Sequence, residues 1–112
     1  MLQKQTGRDP VGLQIVLETE TGKSLASLED PTNILHGVLP TEHDLEFHYL
    51  NLVDWYGDTT FNRLQIPKVR EELARLIERT TSSADRQLLV DIDRLAAKGE
   101  SEPHLYLKFY GD

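Results

Sequence analysis

Hydrophobic and polar residues alternate near the beginning of the chain and again at its end. Leu13, Ile15 and Leu17 alternate with mostly polar neighbours, which is the two-residue period of a half-buried β-strand. A Thr-Gly-Lys turn follows, so the next apolar residues are predicted to return as a weaker second strand of a hairpin. The last alternation is strongly apolar, and we expect it to lie in the middle of the sheet, beside the first strand. The predicted strands are Val11–Thr19, Ser24–Leu28 and Leu105–Tyr110.

A period of about 3.6 residues indicates two helices in the second half of the chain. Residues Pro67–Arg79 carry one apolar stripe, and Ser82 and Asp85 are predicted to cap a second helix that Lys98 and Gly99 end. The two helices should form an antiparallel hairpin, because few residues separate them. Their stripes consist of Val69, Leu73, Leu76 and Ile77 in the first helix, and Leu88, Leu89, Ile92, Leu95 and Ala96 in the second.

The pattern is weaker between the first hairpin and the helices. Asp30 and Pro31 are typical of a helix start, and Gly37 predicts that this helix is short. Residues Leu45–Val53 alternate like a strand and then change phase, so they are predicted to be a strand interrupted by a bulge or a helical turn. Residues Thr59–Gln65 are a further strand candidate.

The order of these elements predicts an α+β fold. We expect a mixed or antiparallel sheet of three to five strands packed on an antiparallel helical hairpin, because the helices lie together rather than alternating with strands. Residues 11–112 are predicted to form a single domain, and residues 1–10 a disordered lead-in.

The charge of the chain is concentrated in one stretch. The formal net charge is −7, and residues 41–66 hold five acidic side chains against one basic side chain. Such a surface repels nucleic acid and anionic membranes, so neither is expected as a partner, and it could steer a basic protein. The alternative is that the charge only keeps the protein in solution. The chain has no cysteine and no apolar run long enough for a membrane span, so we expect a cytoplasmic protein without disulfides.

No nucleotide-binding, hydrolase or zinc-peptidase motif occurs in the sequence. The four histidines, at positions 36, 43, 48 and 104, do not have the spacing of metal ligands on one helix face or one side of a strand. We therefore expect no metal and no other cofactor, and predict no catalytic residue.

The most unusual segment is Asp54–Arg63, which holds the single tryptophan, two carboxylates and a glycine turn. Three interpretations are open. The first is a structural turn held by aspartate and asparagine side chains, with Gly57 at a positive φ and Arg63 paired to Asp54 or Asp58. The second is a partner-binding surface built on the aromatic residues. The third is acid–base chemistry by the two carboxylates.

Three blocks of the sequence resemble a group of small bacterial proteins to which no activity is attached. The blocks are Asp30-Pro31-Thr32-Asn33, the stretch from Tyr56-Gly57-Asp58-Thr59 to Gln65, and the ending His104-Leu105-Tyr106-Leu107 with Gly111-Asp112. Their spacing, with two helices between the second and third blocks, is similar along most of the chain. In size, charge and class the chain also resembles immunity proteins of polymorphic toxin systems. That resemblance implies a non-enzymatic inhibitor.

We therefore predict a protein-binding domain, most plausibly an immunity or inhibitor protein for a basic toxin, acting as a monomer or homodimer. The alternatives are a small-ligand sensor or enzyme that uses the polar residues of Asp54–Arg63, and a self-associating structural subunit. The predicted partner-binding residues are Glu42, Asp44, Glu46, His48, Asp54, Trp55, Tyr56, Asp58, Asn62 and Arg63.

Overall fold

The computed structural model of the 112-residue chain describes residues 12–30, 32–40, 44 and 46–111. The lead-in predicted for residues 1–10 lies outside this part of the chain. The described part also excludes Val11, where the first predicted strand begins, and the helix-start residue Pro31. It excludes the predicted binding residue Glu42 as well, together with His43 and Leu45.

The described elements form a four-stranded antiparallel sheet and two long helices, which confirms the α+β prediction. The strand order is β2-β1-β4-β3, so the last strand lies in the middle of the sheet beside the first, as predicted. The elements in chain order are β1 (Gln14–Thr19), β2 (Ser24–Glu29), the single-turn helix α1 (Leu35–Val38), β3 (Asp58–Phe61), α2 (Ile66–Arg79), α3 (Ser83–Ser101) and β4 (Leu105–Tyr110).

One face of the sheet packs on the helices and forms the core. In β4 the buried residues alternate with half-buried ones, as the period of two requires. The register of β1 and β4, from Gln14↔Tyr110 to Thr19↔Leu105, places their core-facing residues side by side. The largest fully buried side chains come from strands, helices and the connecting segment alike: Leu13, Ile15, Leu17, Leu35, Phe47, Leu50, Phe61, Ile66, Leu73, Leu89, Ile92 and Phe109.

The helical hairpin carries an ion-pair network between its two members. The guanidinium of Arg70 on α2 donates to Asp93 Oδ1 at 2.8 Å and to Glu100 Oε1 at 3.1 Å, both on α3. The hydrogen bond to Asp93 raises the pKa of the Arg70 guanidinium above its ordinary value. Because Arg70 bridges two carboxylates on the neighbouring helix, it fixes the rotation of α2 against α3.

The predicted end of the second long helix is wrong, because α3 continues past Gly99 to Ser101. A Cβ atom at Gly99 would lie 2.9 Å from Ile66 Cδ1 and 3.0 Å from Leu17 Cδ1. The glycine is therefore needed inside the helix, where it lets α3 approach both α2 and β1, rather than at a helix terminus.

The segment between α1 and β3 also differs from the prediction. Its described residues contain turns and a 3-10 turn at Leu50–Leu52, and no strand. The following strand is shorter than Thr59–Gln65, because residues 62–65 turn into α2. The helix start predicted at Asp30 is wrong, because α1 begins at Leu35 with Ile34 as its N-cap. The Asp30 carboxylate instead holds the turn that leads into α1, since its two oxygens accept the backbone N–H groups of Ile34 and Leu35 at 2.8 and 2.7 Å.

A single buried carboxylate holds this irregular segment on the helices. Glu72 of α2 is 4 % exposed, and its oxygens accept the backbone N–H groups of three consecutive residues. The distances are 2.9 Å from His48 N, 3.2 Å from Tyr49 N and 2.8 Å from Leu50 N. A turn without strand partners would otherwise leave these donors unsatisfied beside the core, at a cost of about 1–3 kcal/mol each.

We predict that Glu72→Ala lowers the free energy of unfolding by about 3 kcal/mol or more, since it removes charge-assisted bonds to three N–H groups. Chemical denaturation at neutral pH measures this loss. The matched control is Glu71→Ala on the same helix. Glu71 is exposed, and its ion pair with Lys68, at 3.8 Å, is an exposed surface contact. Its expected change is within about 0.5 kcal/mol. Equal losses in the two variants would contradict the role given to Glu72.

Candidate functional site

Part of the negative charge of the acidic stretch 41–66 is compensated by arginines of α2 in the described part of the chain. The carboxylates of Asp44 and Glu46 lie 3.8 and 3.6 Å from the guanidinium of Arg79 on α2. Arg75 donates to the carbonyl oxygen of Glu46 at 2.8 Å, and both arginines stack on the Phe47 ring. The negative charge of Asp44 and Glu46 is thus partly offset within the protein, and what remains uncompensated lies further along the chain.

Residues Asn51–Asp58 form a hydrogen-bonded loop, which we call the 51–58 loop. Asp54 holds it at two points: its Oδ1 accepts Tyr56 N–H at 2.9 Å, and its own N–H donates to Thr59 Oγ1 at 2.9 Å. The carbonyl of Gly57 accepts the N–H of Gly111 at 2.7 Å, which ties the loop to the end of β4. The interpretation of Asp54 as a turn-forming residue therefore agrees with the geometry.

Glycine 57 is needed for space and not for a positive φ. Among the glycines in the described ranges only Gly22 has a positive φ, so this part of the turn prediction is wrong. A Cβ atom at Gly57 would lie 2.7 Å from Asp54 Oδ2. A side chain there would push the Asp54 carboxylate out of its hydrogen bond, which explains a glycine at this position.

Two large hydrophobic side chains of the 51–58 loop face outwards. Tyr56 is 78 % exposed and Leu52 is 61 % exposed. They lie along a shallow depression of about 510 Å³ that residues 51–56 line. Trp55 is half-buried instead, with its ring centroid 5.1 Å from that of His36 on α1. The tryptophan is therefore the packed base of the loop, and Tyr56 and Leu52 are the side chains a partner could contact.

Asn62 and Arg63 do not join the carboxylates of the 51–58 loop. Asn62 Oδ1 accepts the N–H groups of Leu64 and Gln65 at 2.9 and 3.0 Å, and Gln65 Oε1 accepts the N–H of Asn62 at 2.9 Å. This reciprocal pair has the hydrogen-bond pattern of a capping box and holds the turn 62–65 that leads into α2. Arg63 is exposed and makes no ion pair with Asp54 or Asp58, so the predicted pairing is wrong.

His48 is exposed, and its contribution to the fold is the backbone N–H that Glu72 accepts. His36 and His104 are also exposed, and His104 Nδ1 lies 3.3 Å from Glu20 Oε2. Within the described ranges, no three histidine, aspartate or glutamate residues are placed to hold a metal ion.

Sequence reasoning missed a polar cluster on the sheet face opposite the helices. Glu18 of β1 is 7 % exposed; it accepts a hydrogen bond from the Tyr110 hydroxyl, and Lys108 Nζ lies 3.2 Å from its Oε1. The hydrogen bond from Tyr110, together with Lys108, holds the pKa of Glu18 below its ordinary value. The same contacts raise the pKa values of Tyr110 and Lys108. The sequence carried a signal for this cluster, because Glu18, Lys108 and Tyr110 all occupy outward positions in the alternating pattern of the two central strands.

No protein-family model, curated protein or solved structure matched the chain. No helix in the described part of the chain is long and apolar enough to cross a membrane. What the protein does has to be inferred from its own residues.

We predict that Asn62→Ala lowers the free energy of unfolding by about 1 kcal/mol, because the N–H groups of Leu64 and Gln65, in the turn that leads into α2, lose their acceptor. Asn62→Asp should restore most of the loss, since aspartate offers the same acceptor and favours a helix N-terminus. Thermal unfolding of the three proteins checks this. If Asn62→Ala were neutral, the structural role of Asn62 would be refuted and its place among binding residues reopened.

We predict that Tyr110→Phe lowers the free energy of unfolding by about 2 kcal/mol at neutral pH, because the Glu18 carboxylate loses a charge-assisted hydrogen bond. A lowered pKa contributes stability above the ordinary glutamate value of 4.5 that is lost as pH falls through the folded value. A raised tyrosine pKa contributes stability below its ordinary value of 10.0 that is lost as pH rises through the folded value.

The difference between wild type and Tyr110→Phe should therefore be largest between these two limits and should shrink beyond each of them. Denaturation curves at a series of pH values measure it. Tyr106→Phe is the matched control, because Tyr106 lies on the same strand and face and its hydroxyl has no hydrogen-bond partner in the described part. A pH-independent difference would contradict the assignment.

Proposed function

We propose that the chain is a non-enzymatic protein-binding domain, and that it binds a basic protein through the 51–58 loop. The observation that carries the proposal is the exposure of Tyr56 and Leu52, at 78 % and 61 %, on a loop with fixed backbone hydrogen bonds. Large exposed hydrophobic side chains on a preformed loop bind a partner with little further loss of conformational entropy.

The charge around the loop supports a basic partner. No lysine or arginine occurs in the sequence between Lys23 and Arg63, whereas Asp54 and Asp58 are both exposed at the loop. Neither carboxylate lies within ion-pair distance of a cationic side chain in the described ranges. Their field is available to steer a cationic surface to Tyr56 and Leu52.

The finer form of the proposal is an immunity or inhibitor protein that neutralises a basic toxin in the cytoplasm. The support for it is the small acidic domain itself and the resemblance in size, charge and class noted above. Of the predicted binding residues, the proposal keeps Asp54, Tyr56 and Asp58 and adds Leu52. Trp55 and Asn62 are assigned instead to holding the loop and the turn that leads into α2.

We predict that the double variant Asp54→Asn/Asp58→Lys, in which the asparagine keeps an acceptor for the Tyr56 N–H, binds the product of the neighbouring gene with an association rate about tenfold lower at low salt. The difference should shrink at high salt, because ions screen the exposed charges. Stopped-flow fluorescence of Trp55 can follow the association. The neighbouring product is the probe because the resemblance to immunity proteins of polymorphic toxin systems implies a toxin encoded beside its inhibitor.

The matched control is Glu71→Gln/Glu78→Lys on the exposed face of α2, which changes the net charge equally without touching the loop. Its association rate should remain within about twofold of wild type. Tyr56→Ala should instead raise the dissociation rate by about tenfold, since it removes an apolar anchor. The proposal would be refuted by equal effects of both double variants, or by a neighbouring product that does not bind.

A further inference from the structure

Strand β3 is an edge of the sheet next to the 51–58 loop. It pairs with β4 on one side, from Asp58↔Tyr110 to Phe61↔Leu107. No strand in the described part of the chain pairs with its other side. The edge therefore begins where the loop that we propose as the binding site ends.

The direction of the free backbone groups follows from one hydrogen bond. Gly111 N–H donates to Gly57 O at 2.7 Å, in the same register as the β3–β4 pairs. Hydrogen-bonded and non-hydrogen-bonded pairs alternate in an antiparallel ladder, so Thr59 and Phe61 bond to β4. The N–H and C=O groups of Asp58 and Thr60 consequently point to the free edge, and both residues are exposed.

The β3 edge has none of the lysine, proline or bulge that block many natural edges. It is four residues long, and its charge is negative. The other edge strand, β2, has a register shift opposite Leu17 and Glu18, whereas β3 pairs without one and reads Asp-Thr-Thr-Phe. The charge at this edge is Asp58, and Asp54 lies nearby in the loop.

The exposed side chains on either side of β3 and the negative charge at its edge indicate what kind of segment could pair with it. Tyr56 precedes β3 and Leu64 follows it, and each is 78 % exposed. Four residues in a strand span about 13 Å, so an extended segment paired along β3 would run from the Tyr56 end of the strand to its Leu64 end. A second copy pairing antiparallel along β3 would place Asp58 opposite Thr60 of the other copy, so it would supply no cation to the Asp54 and Asp58 carboxylates. A basic segment meets opposite charge instead.

We infer that the basic partner binds as an extended segment that adds a fifth strand to the sheet at β3. Its backbone would exchange hydrogen bonds with Asp58 and Thr60, its cationic side chains would lie near Asp54 and Asp58, and its apolar side chains would contact Tyr56 and Leu64. This inference rests on the proposed function and specifies the kind of partner.

The test is an NMR titration of the ¹⁵N-labelled protein with a short peptide of alternating valine and lysine, capped at both ends. We expect saturable shifts at the amides of Asp58 and Thr60 and slower hydrogen exchange of both. The same peptide with every peptide nitrogen methylated keeps its charge but loses its backbone hydrogen-bond donors. Its affinity should be lower by about tenfold or by a larger factor. A peptide with glutamate in place of lysine should not bind.

Thr60→Pro supplies the variant on the protein side. Because the Thr60 N–H points away from β4, proline removes a donor to the peptide and none to the sheet. Thr60→Val keeps the N–H and is the matched control, which should bind like wild type. Circular dichroism and the thermal midpoint of each variant establish that it is folded before the titration.

The remaining outcomes separate the inference from the proposed function. If the methylated peptide binds equally well and shifts only residues 51–56, strand addition is wrong while loop binding stands. If neither peptide produces saturable shifts, strand addition by a basic segment is wrong, and the neighbouring-gene experiment decides the proposed function independently. If the amides of Asp58 and Thr60 change with protein concentration alone, the edge belongs to a second copy and the inference is overturned.

Discussion

The carboxylate of Glu72 is the constraint on which the middle of the molecule depends. It satisfies the N–H groups of three consecutive residues that no strand or helix can satisfy. Phe47 and Leu50, at either end of this turn, are almost fully buried. The burial of Phe47 and Leu50 therefore depends on a polar group of α2, because apolar packing alone would leave buried N–H donors of this turn unpaired.

This dependence extends to the candidate site, because the 51–58 loop follows directly from the segment that Glu72 holds. The 3-10 turn at Leu50–Leu52 carries the exposed Leu52, and Val53 returns to the core before the loop begins its turn at Asp54. At its other end the loop is tied to Gly111 and enters β3. Tyr56 is thus displayed from a loop anchored at both ends, which is the condition for binding without a large ordering cost.

Local periodicity was sufficient to predict the elements that bury one face. The last strand, Leu105–Tyr110, has the predicted bounds, and most of the buried apolar residues of α2 and α3 lie on the predicted stripes. Glu72 is an exception, because it is buried outside the stripe of α2. Periodicity was insufficient where contacts distant in sequence decide the structure. Residues 46–53 form turns because Glu72, 22 to 24 residues later, accepts their N–H groups. Likewise Gly99 lies inside a helix because Ile66 and Leu17 occupy the space of its Cβ.

The acidic residues differ in whether their carboxylates are bonded within the protein or are free to contact a partner, and a count of charges could not show this difference. Asp44 and Glu46 face Arg79, Asp54 bonds within its own turn, and Asp30 and Glu72 are buried on backbone amides. Asp58 is different, because its side chain is exposed and its position in the ladder turns its backbone groups outwards. One residue therefore offers charge, donor and acceptor at the same edge. That coincidence favours β3, and not the whole acidic stretch, as the place where we propose that a basic partner binds.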